Sequence, residues 1–342
     1  MGQQSMIIVV LSSLLLSISV FGIMSGWNFS NETTAELFER EQALNITRSG
    51  VNMAVSKLRK QKTWRTGFDE VRVAGGSVSV GVRSLGLDTV RIISVGTING
   101  FSHQAEVVAK LSSIFPNVES ALTVFGDSVE FHNDGKSFLI DGRDYMPNAT
   151  GFGPYPPVSG MGVQSEKIVK DLKSHLDPKI ENNFQGAGGV PSIGSFSPSD
   201  LAALHKFYAD RATTTLPPGA YAYNGVFGTL DDPEIVYVPG DLEWNGTIKG
   251  SGILVVDGKL QLSGNIAWDG IILTLSGDVT IELGGTGNPH ILGTVWVGNT
   301  DPSNITDVTI TGNPSIKYSY LTLMTVLGNL GLLDVEILSY YE

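Results

Sequence analysis

Between residues 231 and 282 the chain carries Asp231, Asp232, Glu234, Asp241, Glu243, Asp257, Asp269, Asp278 and Glu282, and three of these, Asp241, Asp257 and Asp278, stand beside Gly at similar points of successive segments. Two or three carboxylates on adjacent strands, roughly 5 to 9 Å apart, are what glycoside hydrolysis needs, and their separation decides retention or inversion. Asp-Gly and Gly-Asp are equally what tight turns need. Only Lys249 and Lys259 lie among these acids to supply positive charge. The turn role is the simpler reading, and no catalytic residue is assigned.

The other chemical groups lead to the same place. Asp127, Glu130, Asp134, Asp141 and Asp144 suggest calcium by charge, but they lack the Asp-x-Asp-x-Asp-Gly spacing of a dedicated loop. His103, His132, His175, His205 and His290 have no partner at zinc-ligand spacing. The absence of Cys excludes disulfides, thiolate metal sites and a Cys nucleophile. No Gly-x-Ser-x-Gly elbow, phosphate loop or His-Glu-x-x-His motif is present. A non-enzyme without metal or cofactor is the expectation. A net charge of -12 argues against nucleic acid as a partner, and the basic cluster Arg48, Lys57, Arg59, Lys60, Lys62 and Arg65 reads as a solvated helix face. Six Asn-x-Ser/Thr triplets, at Asn28, Asn31, Asn45, Asn148, Asn245 and Asn304, permit glycosylation without establishing it.

The elements that must position these groups begin with MIIVVLSSLLLSISVFGIM, Met6 to Met24, which has no charged residue. As a helix it spans roughly 28 Å, enough for a bilayer core. Its apolar members, Met6, Ile7, Ile8, Val9, Val10, Leu11, Leu14, Leu15, Leu16, Ile18, Val20, Phe21, Ile23 and Met24, form the expected assembly interface. The stretch has no basic flank, so it does not read as a cleaved secretory signal. A processed N-terminus at Met1 is one expectation. Helix continuity is weakest after Gly22 and Gly26, in WNFSNETT. Helical character returns over 34–62, where Leu37, Leu44, Val51 and Leu58 recur every seven residues as a narrow seam that packs on the chain's own sheet or on a neighbouring helix.

From Phe68 to Leu111 the period becomes two, with Gly75-Gly76, Leu85-Gly86 and Asn99-Gly100 as turns, which predicts a small antiparallel sheet over 63–115. Residues 116–218 hold short strands, a Pro/Gly linker over 147–163 and two short helices. The rest, 219–342, is the most regular. Ile235, Ile253, Ile271, Ile291 and Ile310 open successive apolar runs at intervals of 18, 18, 20 and 19, the mark of a β-solenoid whose coils bury these isoleucines as a core. The closing segment TLMTVLGNLGLLDVEILSYYE is expected to cap the last coil.

A long apolar N-terminal helix, an amphipathic continuation and a small sheet ending in IISVGTINGFSHQAEVVAKL resemble the type IV pilin-like proteins, minor pilins in particular, over roughly residues 1–115. The fold class expected is therefore mainly β with a long N-terminal α-helix: a pilin-like helix and antiparallel sheet, then a β-solenoid. The resemblance implies a structural subunit of an extracellular pilus-like filament. Its partners would be copies of itself, pilus-type assembly machinery and the inner membrane, in which a transmembrane helix waits before assembly. Pilins usually carry Glu at the fifth mature position. Here Ser5 stands there, and no carboxylate precedes Glu32. That departure suits a minor pilin acting as tip adhesin or initiator. A membrane-anchored β-helix enzyme or binder acting on extracellular polysaccharide is the alternative from another class.

Overall fold

The computed structural model describes residues 2–342 apart from 87, 114, 134–136, 197–199, 223, 277–279, 285–289 and 300–304; side chains at 2–12, 25–33, 276 and 280–284 also lie outside the described set. The chain is mainly β, opened by a long helix. In order come α1 (Gly2–Lys60), β1 (Phe68–Val73), β2 (Gly76–Ser84), β3 (Thr89–Ile98), β4 (Phe101–Ser113), β5 (Ser120–Val124), β6 (Ser128–Asn133), β7 (Leu139–Asp141) and β8 (Ser159–Val163). Next are α2 (Glu166–His175), β9 (Phe184–Gln185), β10 (Ile193–Ser195), α3 (Leu201–Ala209), β11 (Thr214–Thr215), β12 (Gly219–Tyr221), β13 (Gly225–Phe227) and β14 (Glu234–Val238). β15 (Leu242–Val256), β16 (Leu260–Ser276), β17 (Thr280–Gly284), β18 (His290–Asn299), β19 (Ile305–Ile310), β20 (Ser315–Lys317), α4 (Tyr320–Asn329) and β21 (Leu333–Tyr341) complete it. Two compact units result: Met1–Lys57 with Trp64–Leu111 and Val335–Glu342, and Leu58–Thr63 with Ser112–Asp334.

Two expectations for the N-terminal stretch are corrected. The helix does not weaken after Gly26, because α1 runs unbroken for 59 residues. Each glycine costs a helix only about 1 kcal/mol, which cooperative propagation on both sides absorbs. The transmembrane helix, and with it a membrane-inserted state before assembly, is also overturned: among the described residues no helix is long and apolar enough to cross a membrane. The side chains of Met6, Ile7, Ile8, Val9, Val10 and Leu11 lie outside the described set. In its described part the run is interrupted by Ser13, Ser17, Ser19 and Gly22.

In the first unit, period-two alternation produces the sheet β1-β2-β3-β4-β21, antiparallel through its first four strands. One face buries Val78, Val80 and Val82 from β2, Val90, Ile92 and Ile98 from β3, and Ala105, Val107, Ala109 and Leu111 from β4. The β3–β4 turn is Asn99-Gly100, with φ of 47° and 87°, the left-handed pair that a two-residue hairpin demands. In the β1–β2 turn the same pair is Ala74-Gly75, one residue earlier than the Gly75-Gly76 expected from sequence. The closing segment forms helix α4 and then β21, which joins β4 at the sheet edge, where a cap on the last coil was expected. A β-period cannot name its partner strand, and the open edge of β4 supplied one.

The second unit is a stack of parallel strands. Along its main path the order is β10-β8-β5-β18-β16-β15-β14-β11. Ile235, Ile253 and Ile271 stand in register, one per strand, and the next rung is Thr294. Ile291 instead pairs with Trp268 and Ile316, and Ile310 with Leu283 and Asn133, so the five isoleucines occupy three ladders. All five are buried. The runs IVYV, ILVV and IILTL are apolar but for Thr274, and buried but for the half-buried Tyr237, because both faces of these strands are covered. Gly252, Gly270 and Gly293 are paired rung to rung with φ between 135° and 149°, and a Cβ on any of them would strike a carbonyl oxygen of the strand before. Only Gly fits there.

The first strand of the stack in the chain, β5, pairs with the last long one, β18. The chain thus enters the stack in its middle, proceeds through β8 to β10, and returns by α3 to the other end. Leu201 packs over Gly298 of β18, His205 Nε2 lies 3.2 Å from the Val256 carbonyl of β15, and Thr213 N–H donates to Ile235 O of β14 at 2.8 Å. From β11 the strands then climb back to β18.

Candidate assembly interface

The described apolar residues of the N-terminal run, Leu14, Leu15, Leu16, Ile18, Val20, Phe21, Ile23 and Met24, are all exposed, by 46 to 76%. Successive helix residues are about 100° apart, so these eight point in every direction around the axis. Covering each is worth roughly 1.5–3 kcal/mol before ordering costs. The serines fit an apolar setting: Ser17 Oγ donates to Ser13 O at 2.8 Å, meeting its hydrogen-bond need inside the helix.

Lower on α1 the helix grips the sheet of the first unit. The buried stripe is Ala43, Ile46, Thr47, Gly50, Val51 and Ala54, spaced by three and four. Gly50 is there because a Cβ would fall 2.5 Å from Val78 Cγ2 and overlap Ser94 Oγ. Thr47, fully buried, is stitched into the sheet. Its Oγ1 accepts the Gly96 N–H at 3.0 Å and shares its proton between Ala43 O at 2.8 Å and His103 O at 3.0 Å. In return Ser94 Oγ donates to Thr47 O at 2.8 Å. At the sheet margin Arg48 makes a two-pronged ion pair with Glu342, at 2.7 and 2.9 Å, which holds that carboxyl below its ordinary pKa.

The seven-residue seam is distributed differently from the buried stripe. Leu37 is 58% exposed, Leu44 is half-buried, Val51 packs in the stripe, and Leu58 is buried but belongs to the second unit. A helix lying close on a sheet must present small residues to it. The spacing of Ala43, Thr47, Gly50 and Ala54 carried that signal, which a search for large apolar residues passes over.

The candidate chemical groups are dispersed. Asp141 is wholly buried and bridged by Arg143 and by the Tyr145 hydroxyl at 2.7 Å; burial, with Asp141 beside it, pushes that phenol up to about 12. Asp144 accepts the N–H groups of Tyr155 and Tyr320 at 3.0 and 2.9 Å, yet burial still raises its pKa. Glu130 instead pairs with His132 at 3.2 Å on β6, Asp127 is exposed, and Asp134 lies outside the described residues. Among the described residues no group of three or more His, Asp or Glu is arranged to hold a metal ion. Of the three Gly-flanked carboxylates, Asp241 Oδ1 accepts the Lys259 N–H at 2.8 Å, a turn-capping bond, and Asp257 is exposed; Asp278 lies outside the described residues. Asp269, half-buried on β16, is pushed up to about 6 by desolvation. His205 and His290 are both lowered, chiefly by burial.

No protein-family model matches the chain. No curated protein matches it either. Among solved structures, the crystal structure of the competence-associated pilin ComZ from Thermus thermophilus aligns over 89% of this chain and 97% of that one, with 10% identity and a TM-score of 0.30. Such a score is too low to establish a shared fold.

Proposed function

We propose that this chain is a structural subunit of a type IV pilin-like filament, assembled through the apolar end of α1 with the β units displayed around the helical core. The observation that carries the reading is the helix exposed on all sides from Leu14 to Met24. Such a surface is stable in water only when covered, and a helix with no single apolar face is suited to a bundle of like helices. The lower half of α1 is anchored on its sheet through Thr47 and Gly50, which leaves the upper half available to further copies. The contact is heterologous, so repetition gives an open helical filament. Its partners are copies of itself, delivered by machinery of the pilus type. The parallel stack is read as a β-solenoid, a rigid outer body whose chemistry is structural rather than catalytic.

Electron microscopy and sedimentation of the full chain test this. Wild-type protein is expected as filaments, and Leu15→Lys or Phe21→Lys as dispersed subunits with an unchanged circular dichroism spectrum. A wild-type chain that stays monomeric at all concentrations, or filaments that survive both substitutions, would overturn it.

A further inference from the structure

We propose that Asn148 is a covalent attachment site for a glycan. Of the six Asn-x-Ser/Thr triplets, the side chains of Asn28, Asn31 and Asn304 lie outside the described residues. Two of the others have their groups committed elsewhere. Asn45 sits inside α1, and its partner hydroxyl on Thr47 is buried in bonds to Ala43 O, His103 O and Gly96 N. Asn245 is half-buried, with Nδ2 donating to Glu243 Oε1 at 2.5 Å and Oδ1 accepting from Ser263 Oγ. In the Asn304 triplet the hydroxyl of Thr306 is itself fully buried and donates to Phe125 O at 2.6 Å.

Asn148 differs in each respect. It is exposed at the tip of a loop closed by the Tyr145–Phe152 bridge and by Met146 N–H donating to Gly151 O at 2.9 Å. A second bond, Ala149 N–H to Met146 O at 2.8 Å, holds the turn, with Ala149 at a φ of 54°. Asn148 Oδ1 accepts both the Thr150 hydroxyl at 2.7 Å and the Thr150 N–H at 3.1 Å. Among the described residues nothing accepts from Nδ2, which faces solvent.

An amide nitrogen is a poor nucleophile because its lone pair is delocalised onto oxygen. Loss of a proton from Nδ2 places negative charge on Oδ1, and two donors already aimed at that oxygen stabilise it, as an oxyanion hole does. The nitrogen then attacks the anomeric carbon of a sugar carried on a lipid-linked diphosphate. The N–C bond forms, the C–O bond to the diphosphate breaks and the diphosphate leaves with the electron pair; the amide proton passes to a base of the transferase. The acceptor triplet supplies the nitrogen and the hydroxyl, and the loop supplies access.

The test is mass spectrometry of the full chain purified from the cells that make it, with the peptide containing Asn148 mapped. The expected result is a sugar mass on Asn148 that is lost completely in Thr150→Ala and Asn148→Gln and kept in Thr150→Ser, while circular dichroism stays constant across all four proteins. An unmodified Asn148 in the wild-type chain overturns the proposal. So does a modification that persists in Thr150→Ala.

Discussion

Replacing Thr47 by Val removes one hydroxyl from the α1–sheet contact and almost nothing else, because the two side chains have the same shape and similar helix propensity. That hydroxyl stands between Gly96 N–H and His103 C=O, which face each other across β3 and β4. Without it the buried Gly96 N–H loses its acceptor at 3.0 Å and the half-buried His103 carbonyl a donor at 3.0 Å. A buried donor left without a partner costs about 1–3 kcal/mol. The loss is local, so hydrogen exchange of the peptide covering residues 89–98 reads it: protection is expected to fall about 5- to 150-fold, the same free energy expressed as a ratio. Thr47→Ser, which keeps the hydroxyl and loses a methyl group, is expected to retain most of the protection. Unchanged exchange in Thr47→Val, or a Ser variant less protected than the Val variant, would refute the claim that Thr47 stitches the helix to the sheet.

Gly50→Ala gains about 1 kcal/mol of helix propensity, yet its methyl would press on Val78 and Ser94; net destabilisation of about 1–3 kcal/mol is expected in urea titration. Ile253→Ala opens a cavity between Ile235 and Ile271 in a wholly buried ladder, and calorimetry of the second unit's transition is expected to show a loss of about 2–5 kcal/mol. Asp269 has a folded pKa of about 6 against an ordinary 3.8. Its contribution is therefore full below pH ~4 and lost as pH rises through 6. Asp269→Asn is expected to melt above wild type at pH 7 and level with it at pH 4. Equal melting at pH 7 would sink that reading.

The sequence alone determined what depends on near neighbours along the chain. Period two from Phe68 to Leu111 fixed strands and their inward residues, Asn99-Gly100 fixed a turn, and the isoleucines at 235, 253 and 271 fixed three rungs of a ladder, because side-chain periodicity and backbone torsion are local properties. The absence of Cys and of catalytic spacing was legible for the same reason. Where the partner is distant the sequence was silent. The 23-residue step from Ile271 to its true rung Thr294 was masked by Ile291, which begins an apolar run of its own but belongs to another ladder. Nothing near residue 120 announces that β5 will lie on β18, or that β21 will extend the sheet begun at Phe68. Those pairings satisfy exposed strand edges, and an edge accepts any compatible strand regardless of its place in the chain. The small-residue stripe of α1 is the same lesson at the interface: Ala43, Thr47, Gly50 and Ala54 acquire their role only from how closely the sheet approaches, a distance that tertiary packing sets.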